Sequence, residues 1–290
     1  MIGRRRNRDE DAAGATPAPE TSPAPRDTSE AGTTTMLETP RETASDPAPR
    51  HQGGRSLRNL LPVLLVRAAH PRQGILTAFG LAVAAALSNR PIREVALVFA
   101  TVLVGQTVLG WHNDLVDRHR DATHETPGKP IADGRLDPGT AWFALTCAVL
   151  LVVPLSISNG VTAGVAYLLS LLVGLLGNVA LRQGFLSWLP WAAAFALYPA
   201  FLSYGGWAGS ADGGPPEPAM TGLAALLGIG VHFLTALWGL VADNEDEWTY
   251  LPLKLGLRLG AGRLLALASV YITGVLVALA FTGTYVGLAQ

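Results

Sequence analysis

The chain has 290 residues, of which 49% are apolar and only 15% are charged, and its net charge is -1. The near balance of 21 basic and 22 acidic residues argues against nucleic acid as the main partner. A single cysteine excludes a disulfide framework and a cysteine-based zinc site. Low charge together with a mean hydropathy of +0.31 favours a membrane protein.

The first segment of the chain, residues 1–56, is predicted to be a disordered tail. It is rich in proline, threonine and charged residues, and it shows no apolar periodicity. Such a composition cannot bury enough apolar surface to offset the entropy lost on ordering. Three arginines at positions 4–6 resemble the start of a signal peptide, but no apolar segment follows them. We therefore expect a disordered cytoplasmic tail over 1–56 and a transmembrane domain over 57–290.

About seven apolar spans are predicted after the tail. They lie near residues 74–88, 94–112, 140–157, 160–178, 186–207, 220–242 and 261–282. Most have about 20 residues, the length of a helix that crosses a bilayer. The first is short, and we expect it to extend back through Leu60–Val66 with a kink at Pro71. No segment alternates every two residues, so the predicted fold class is all-α, a multi-span transmembrane helical bundle.

The basic residues predict the orientation of this bundle. If the tail lies inside and the spans alternate, 19 of the 21 Lys and Arg residues lie on the cytoplasmic side. Only Arg90 and Arg93 then lie outside. Loops rich in Lys and Arg stay on the cytoplasmic side of a membrane. We therefore expect an integral protein of the plasma membrane with a cytoplasmic N-terminus.

Two acidic clusters contain ten of the 13 carboxylates beyond the tail, and both are predicted to lie on the cytoplasmic side. In the first cluster, Asp114, Asp117 and Asp121 stand at i, i+3 and i+7. They share one face if the second span continues as a helix. In the second cluster, Asp243 and Glu247 stand at i and i+4 and are also expected to share a face.

Each cluster follows an apolar span and is therefore predicted to lie near a helix C-terminus, where the helix dipole disfavours carboxylates. A bound divalent cation removes this penalty, and oxygen ligands suit Mg²⁺. Two such sites can clamp a diphosphate and stabilise it as a leaving group. The alternative is a solvated acidic cap on each helix end. As exposed loop acids, Asp114 and Asp117 are expected to contribute little to folding.

The motifs around these clusters resemble those of the UbiA-type intramembrane prenyltransferases. Asn113-Asp114-x-x-Asp117-x-x-x-Asp121 looks like the N-D-x-x-D-x-x-x-D motif of that family, and Lys129-Pro130-Ile131-Ala132-x-Gly134 resembles its continuation. Asp243-Asn-Glu-Asp-Glu247, followed by Leu251-Pro252-Leu-Lys254-Leu-Gly256, is similar to the second motif, in which Asp is usual in place of Glu247. The resemblance covers roughly residues 60–285.

The resemblance implies a bundle with a central cavity near the cytoplasmic face and a prenyl diphosphate bound between the motifs. The implied function is Mg²⁺-dependent transfer of a prenyl group from a prenyl diphosphate to an acceptor, usually aromatic, within the membrane. Asp114, Asp117 and Asp243 would then be catalytic. The implied metal ligands are Asn113, Asp114, Asp117, Asp121, Asp243 and Glu247. A terpene cyclase of the same type, or an inactive or partner-dependent paralogue, is the alternative.

Four basic residues are candidates for diphosphate binding. Lys129 and Lys254 each follow an acidic cluster, and positive-inside anchoring is the alternative role for both. Arg182 stands where the family has a lysine, and a guanidinium can contact phosphate in a bidentate manner. Arg67 precedes the first span, where headgroup snorkelling explains it equally well. His232, within the sixth span, is a candidate for acceptor binding, with an interhelical hydrogen bond as the alternative.

The number of spans departs from the family pattern. Family bundles usually have nine spans, and about seven are predicted in this chain. We therefore expect either a truncated C-terminus or a partner subunit that completes the bundle. The sequence leaves the identity of the acceptor and the length of the prenyl chain open.

Overall fold

A computed structural model describes residues 59–205 and 213–286. The prediction of a tail over residues 1–56 lies outside the described residues. All of the described residues fall within one compact unit, Gln52–Gln290. They form helices, with no strand in either described range, which confirms the predicted all-α class.

Eleven α-helices run through the two described ranges. They are α1 (Leu61–Ala68), α2 (Pro71–Leu87), α3 (Ile92–Thr123), α4 (Pro138–Ile157), α5 (Val161–Val179), α6 (Trp188–Ala196), α7 (Tyr198–Ser203), α8 (Pro218–Ala236), α9 (Leu240–Glu245), α10 (Leu251–Leu259) and α11 (Ala261–Val286). A 3₁₀ turn, Phe185–Ser187, precedes α6.

Six segments of the described ranges are long and apolar enough to cross a membrane. They are Ile92–Thr123, Pro138–Ile157, Val161–Val179, Phe185–Ser203, Pro218–Ala236 and Ala261–Tyr285. The first predicted span corresponds to α2, a shorter apolar helix of 17 residues. The predicted multi-span bundle is therefore confirmed.

The chain breaks into two helices, α1 and α2, where a kink at Pro71 was predicted within an extended first span. His70 has a positive φ of 51°, and Pro71 begins α2. Proline lacks a backbone N–H and is tolerated in the first turn of a helix, where that group has no partner. The break separates α1 from α2 and turns His70 towards α3.

The long helix α3 positions the first acidic cluster. Its 32 residues extend about 48 Å at 1.5 Å per residue, more than the bilayer core of about 30 Å. The helix therefore continues well beyond its apolar segment, which is the condition for the predicted shared face, and Asp114, Asp117 and Asp121 lie in this extension.

The core of the bundle forms where α3 packs against α2, α4 and α5. Gly105 allows close approach of α3 and α5, because a Cβ there would lie 2.1 Å from the Tyr167 hydroxyl. That hydroxyl donates to the Val102 carbonyl at 3.3 Å. On the other side, α8 packs against α6 and α11. This packing holds α3, α5 and α8 as the rigid elements around the candidate site.

Candidate functional site

The three aspartates of the first cluster lie on one buried face of α3. Asp114, Asp117 and Asp121 are 2%, 8% and 6% exposed. The shared helical face is therefore confirmed. The expectation that these are exposed loop acids is wrong, because α3 continues through the cluster and neighbouring segments cover it.

Lys129 lies among these carboxylates. Its Nζ is 2.6 Å from Asp114 Oδ1 and 3.4 Å from Asp121 Oδ2. His70 Nε2 also lies 2.7 Å from Asp114 Oδ1. Burial lowers the pKa of Lys129, but the charges of the two aspartates outweigh it, so the pKa stands above its ordinary value. The lysine is therefore held in its charged form as a counter-ion.

Two carboxylate oxygens on this face lack a hydrogen bond from any described residue. They are Asp114 Oδ2 and Asp121 Oδ2, both buried, and the latter has only the ion-pair contact with Lys129. A buried acceptor without a donor costs about 1–3 kcal/mol, and more when it is charged. These two oxygens therefore fit the chemistry of a cation site.

Arg182 closes the first cluster from the segment after α5. Its guanidinium donates to Asp117 Oδ1, and Asn113 Nδ2 donates to Asp117 Oδ2 at 3.1 Å. Leu181 has a positive φ of 63°, so the chain turns sharply directly before the arginine. The sequence-predicted Asn113, Lys129 and Arg182 are thus brought to the aspartates.

The second cluster contributes one buried carboxylate. Asp243 on α9 is 5% exposed, accepts a hydrogen bond from the Tyr250 hydroxyl, and lies with Oδ1 2.6 Å from an Arg120 nitrogen. Burial raises the pKa of Asp243 above its ordinary value, although the hydrogen bonds from Tyr250 and Arg120 oppose this. Because Arg120 belongs to α3, it connects the two clusters directly.

The predicted shared face of Asp243 and Glu247 is wrong. Helix α9 ends at Glu245, and Glu247 is exposed with a positive φ of 57°. The chain leaves the helix before the i+4 position, so Glu247 does not follow Asp243 along one face. Tyr250 follows this turn in an extended conformation and directly precedes α10.

Trp248, which follows the second cluster, contacts two basic residues of the first cluster. The Arg120 guanidinium lies 4.3 Å from the centre of its ring, and the Arg182 guanidinium lies 5.3 Å from it. Both distances are typical of cation–π contacts. Sequence reasoning missed Arg120, Trp248 and Tyr250 as site residues. Their one sequence signal is position, since each stands within or directly after an acidic cluster.

The other two predicted basic residues form no ion pair with these carboxylates. Lys254 is exposed on α10 and Arg67 is half-buried on α1, and neither forms an ion pair within the described ranges. Arg67 lies near Asp133, whose pKa is lowered chiefly by a hydrogen bond from Arg135 and also by the charge of Arg67.

His232 on α8 is buried and forms a hydrogen bond with the 3₁₀ turn before α6. Its Nε2 lies 2.9 Å from the Ser187 hydroxyl, and its ring lies 5.7 Å from that of Trp191. His232 does not line the cavity that lies between α2, α3, α5, α6 and α8. The interhelical hydrogen bond considered as the alternative is therefore present.

A cavity of about 300 Å³ opens beside the first cluster. His70 and Asn113 line it at the end next to the aspartates, and it extends between α2, α3, α5, α6 and α8. Its lining residues are Ala69, His70, Gln73, Gly74, Thr77, Gln106, Leu109, Gly110, Asn113, Ser170, Gly174, Gly177, Asn178, Pro190, Trp191, Ala194, Phe195, Tyr198, Val231 and Thr235. The cavity thus connects the acidic site with the interior of the bundle.

The arrangement of donors bears on metal binding. Within residues 59–205 and 213–286, no group of three or more His, Cys, Asp or Glu side chains is assembled as a metal site. Asp114, Asp117 and Asp243 each pair with a basic side chain instead. The oxygen donors themselves are of the type that Mg²⁺ prefers.

A bundle of membrane-length helices, with two acidic clusters joined at one side, defines an integral membrane protein. The model of the UbiA prenyltransferase family matches residues 74–289, and the chain belongs to that family. No curated protein and no solved structure matches the chain. The resemblance found in the sequence is thereby confirmed, and the family is one of membrane prenyltransferases.

Proposed function

We propose that the chain is a Mg²⁺-dependent enzyme that transfers a prenyl group from a prenyl diphosphate to an aromatic acceptor within the membrane. The observation that supports this most is the direct link between the two acidic clusters. Arg120 of the first cluster contacts Asp243 and Asp246 of the second. A diphosphate placed at this junction would meet carboxylates and basic groups from both.

The proposed metal ligands are Asn113, Asp114, Asp117, Asp121 and Asp243. Support comes from their oxygen chemistry and from two buried oxygens, Asp114 Oδ2, which accepts no hydrogen bond from a described residue, and Asp121 Oδ2, whose one contact is the ion pair with Lys129. Mg²⁺ bound there would neutralise diphosphate charge and help it to leave. We leave Glu247 out of this set, because it lies exposed outside α9.

The proposed diphosphate-binding groups are basic side chains that now pair with carboxylates. Lys129, Arg182 and Arg120 would exchange these partners for diphosphate oxygens when substrate and cation bind. In that position they stabilise the negative charge that grows on the leaving group as its bond to carbon breaks. Lys254 and Arg67 remain candidates for diphosphate binding, but the substrate would contact them only if it extended beyond the two acidic clusters.

The cavity would hold the reacting carbon and the acceptor away from water. An allylic cation formed by loss of diphosphate reacts with any water present, so a water-excluding wall directs it to the acceptor. The proposed orientation puts the site on the cytoplasmic side of the plasma membrane, which the bias of Lys and Arg supports.

A partner subunit is a further part of the proposal. Only 17% of the apolar window of α11 is buried within the bundle. We propose that a further subunit packs on this helix, and the mass of the assembly in lipid nanodiscs would test it. A monomeric mass together with full activity would contradict the partner.

The experiment for the function is release of diphosphate by the full chain in nanodiscs. Geranyl, farnesyl and geranylgeranyl diphosphates are offered with and without Mg²⁺ and a panel of aromatic acceptors. Release that requires both Mg²⁺ and an acceptor is expected. Release without an acceptor would indicate a cyclase, and the absence of release from every donor would contradict the proposal.

Asp114→Asn is the matched variant for this assay, because it keeps the shape of the side chain and removes its charge. We expect it to abolish the Mg²⁺-dependent release. Asp133→Asn, which changes a more exposed acid of the neighbouring loop, is the control and is expected to retain it.

A further inference from the structure

We propose that the cavity beside the first cluster binds the acceptor, and that it selects an uncharged ring bearing hydroxyl or carbonyl oxygens over a carboxylated ring. This inference rests on the proposed function, because it assigns the class of the second substrate. It is carried by the side chains that line the cavity.

Two side-chain amides enter the cavity from neighbouring helices, Gln73 on α2 and Gln106 on α3. A Cβ at Gly74 would lie 3.4 Å from Gln106 Cβ, so α2 and α3 pack in van der Waals contact beside the two amides. Within the described ranges the Gln73 side chain forms no hydrogen bond, and that of Gln106 interacts only with the Tyr198 hydroxyl. Each amide can donate to an oxygen and accept from a hydroxyl.

Other polar groups of the wall already have partners in the protein. The Ser170 hydroxyl donates to the Ala194 carbonyl at 2.9 Å. The Asn178 amide donates to the Leu109 carbonyl at 3.3 Å. The Tyr198 hydroxyl is likewise engaged, by Ser170 and Gln106. The two glutamine amides, each with hydrogen-bonding atoms to spare, are therefore the groups that recognise a ligand, and both are uncharged.

No lysine or arginine is among the described residues that line the cavity. Lys129 stands at its end and His70 lines it there, but both already contact Asp114 Oδ1, at 2.6 Å and 2.7 Å. A carboxylate carried into the cavity would therefore lack a counter-ion. Burial of an unpaired carboxylate costs far more than burial of a hydroxyl or carbonyl that meets an amide.

Aromatic side chains of α6 and α7 complete the wall. Trp191, Phe195 and Tyr198 all line the cavity, and the rings of the last two lie 5.1 Å apart. Flat rings pack well against such side chains. The volume of about 300 Å³ lies at the lower end of the range for small-molecule pockets, so it suits one compact ring system.

The test is equilibrium binding of two matched probes to the full chain in nanodiscs, without Mg²⁺ or a prenyl diphosphate. The probes are 1-naphthol and 1-hydroxy-2-naphthoate, which differ by a single carboxylate. Isothermal titration calorimetry measures both, and empty nanodiscs correct for partition into lipid. We expect 1-naphthol to bind at least about tenfold more tightly.

Variants of the amides assign this preference to the cavity. Gln106→Leu is expected to weaken binding of 1-naphthol about tenfold, and Gln106→Arg to reverse the preference by supplying a counter-ion. If the Gln106 variants do not fold, Gln73→Leu on α2 tests whether the glutamine amides bind 1-naphthol. Thr146→Val, on the exposed side of α4, is the control and should leave both affinities unchanged.

Three results would overturn the inference: equal or tighter binding of the naphthoate, binding of 1-naphthol that neither glutamine variant changes, or no binding of either probe. Failure of the proposed function would look different. If the proposed function is wrong, the release assay shows no Mg²⁺-dependent release of diphosphate. That assay contains prenyl diphosphates, whereas the binding assay does not.

Discussion

The two acidic clusters reach the same site by different means. The first is built on a 32-residue helix, and its three aspartates are all buried on one face. The second is built on α9, a helix of six residues, and only Asp243 among its acids is buried. The two clusters differ in what fixes their backbone. The first lies on α3, which is itself a packed membrane helix, whereas the position of α9 depends on the contacts of Asp243.

This difference indicates where each cluster is vulnerable. The geometry of the first follows from helical periodicity and survives changes to single side chains. The geometry of the second depends on hydrogen bonds from Arg120 and Tyr250 to one carboxylate. Four substitutions test this comparison and are given in decreasing order of the effect that we expect.

Asp114→Ala is expected to have the largest effect. It removes a proposed ligand, so diphosphate release should fall at least about a hundredfold. It also leaves Lys129 without its closest counter-ion, and breaking a buried pair costs about 3 kcal/mol. The thermal unfolding midpoint in nanodiscs should therefore fall as well. Normal activity in this variant would disprove the role of the first cluster.

Arg120→Gln is expected to separate the two clusters. The substitution leaves buried Asp243 with the Tyr250 hydroxyl alone, at a cost of about 2 kcal/mol for a lost charged hydrogen bond. Asp246→Asn is the matched control, because it removes the more exposed partner of the same arginine and should cost less than about 1 kcal/mol. Equal shifts of the unfolding midpoint in both variants would contradict the bridging role.

Tyr250→Phe is expected to loosen the second cluster alone. Loss of its hydroxyl removes one donor to Asp243 and costs about 1.5 kcal/mol, the low end for a charged acceptor, because Arg120 remains. Diphosphate release should fall with a higher Mg²⁺ requirement. Tyr285→Phe, on the exposed part of α11, is the control. An unchanged Mg²⁺ requirement would count against Asp243 as a ligand.

Glu247→Gln is expected to have the smallest effect. The side chain is exposed outside α9, so stability should change by less than about 0.5 kcal/mol. Diphosphate release should stay within about twofold of the unchanged chain. A large loss that high Mg²⁺ restores would return Glu247 to the set of proposed ligands.

Sequence reasoning located much of the site because its signals were local. The i, i+3, i+7 spacing of Asp114, Asp117 and Asp121 was enough to place them on one face, once α3 was assumed to continue. The same logic failed for Glu247, because a six-residue helix ended before the fourth position. The spacing could not reveal that the chain turns at positive φ.

The membrane helices, the acidic motifs and the family follow from the amino-acid sequence without the fold. Apolar length and helical period are properties of consecutive residues, so they can be found without the fold. Only the folded structure shows which charged groups meet. Arg120 contacts Asp243, Lys129 contacts Asp114, and Arg120 and Arg182 both lie over Trp248. These contacts join residues distant in the chain, and a buried charge selects its partner by position in space.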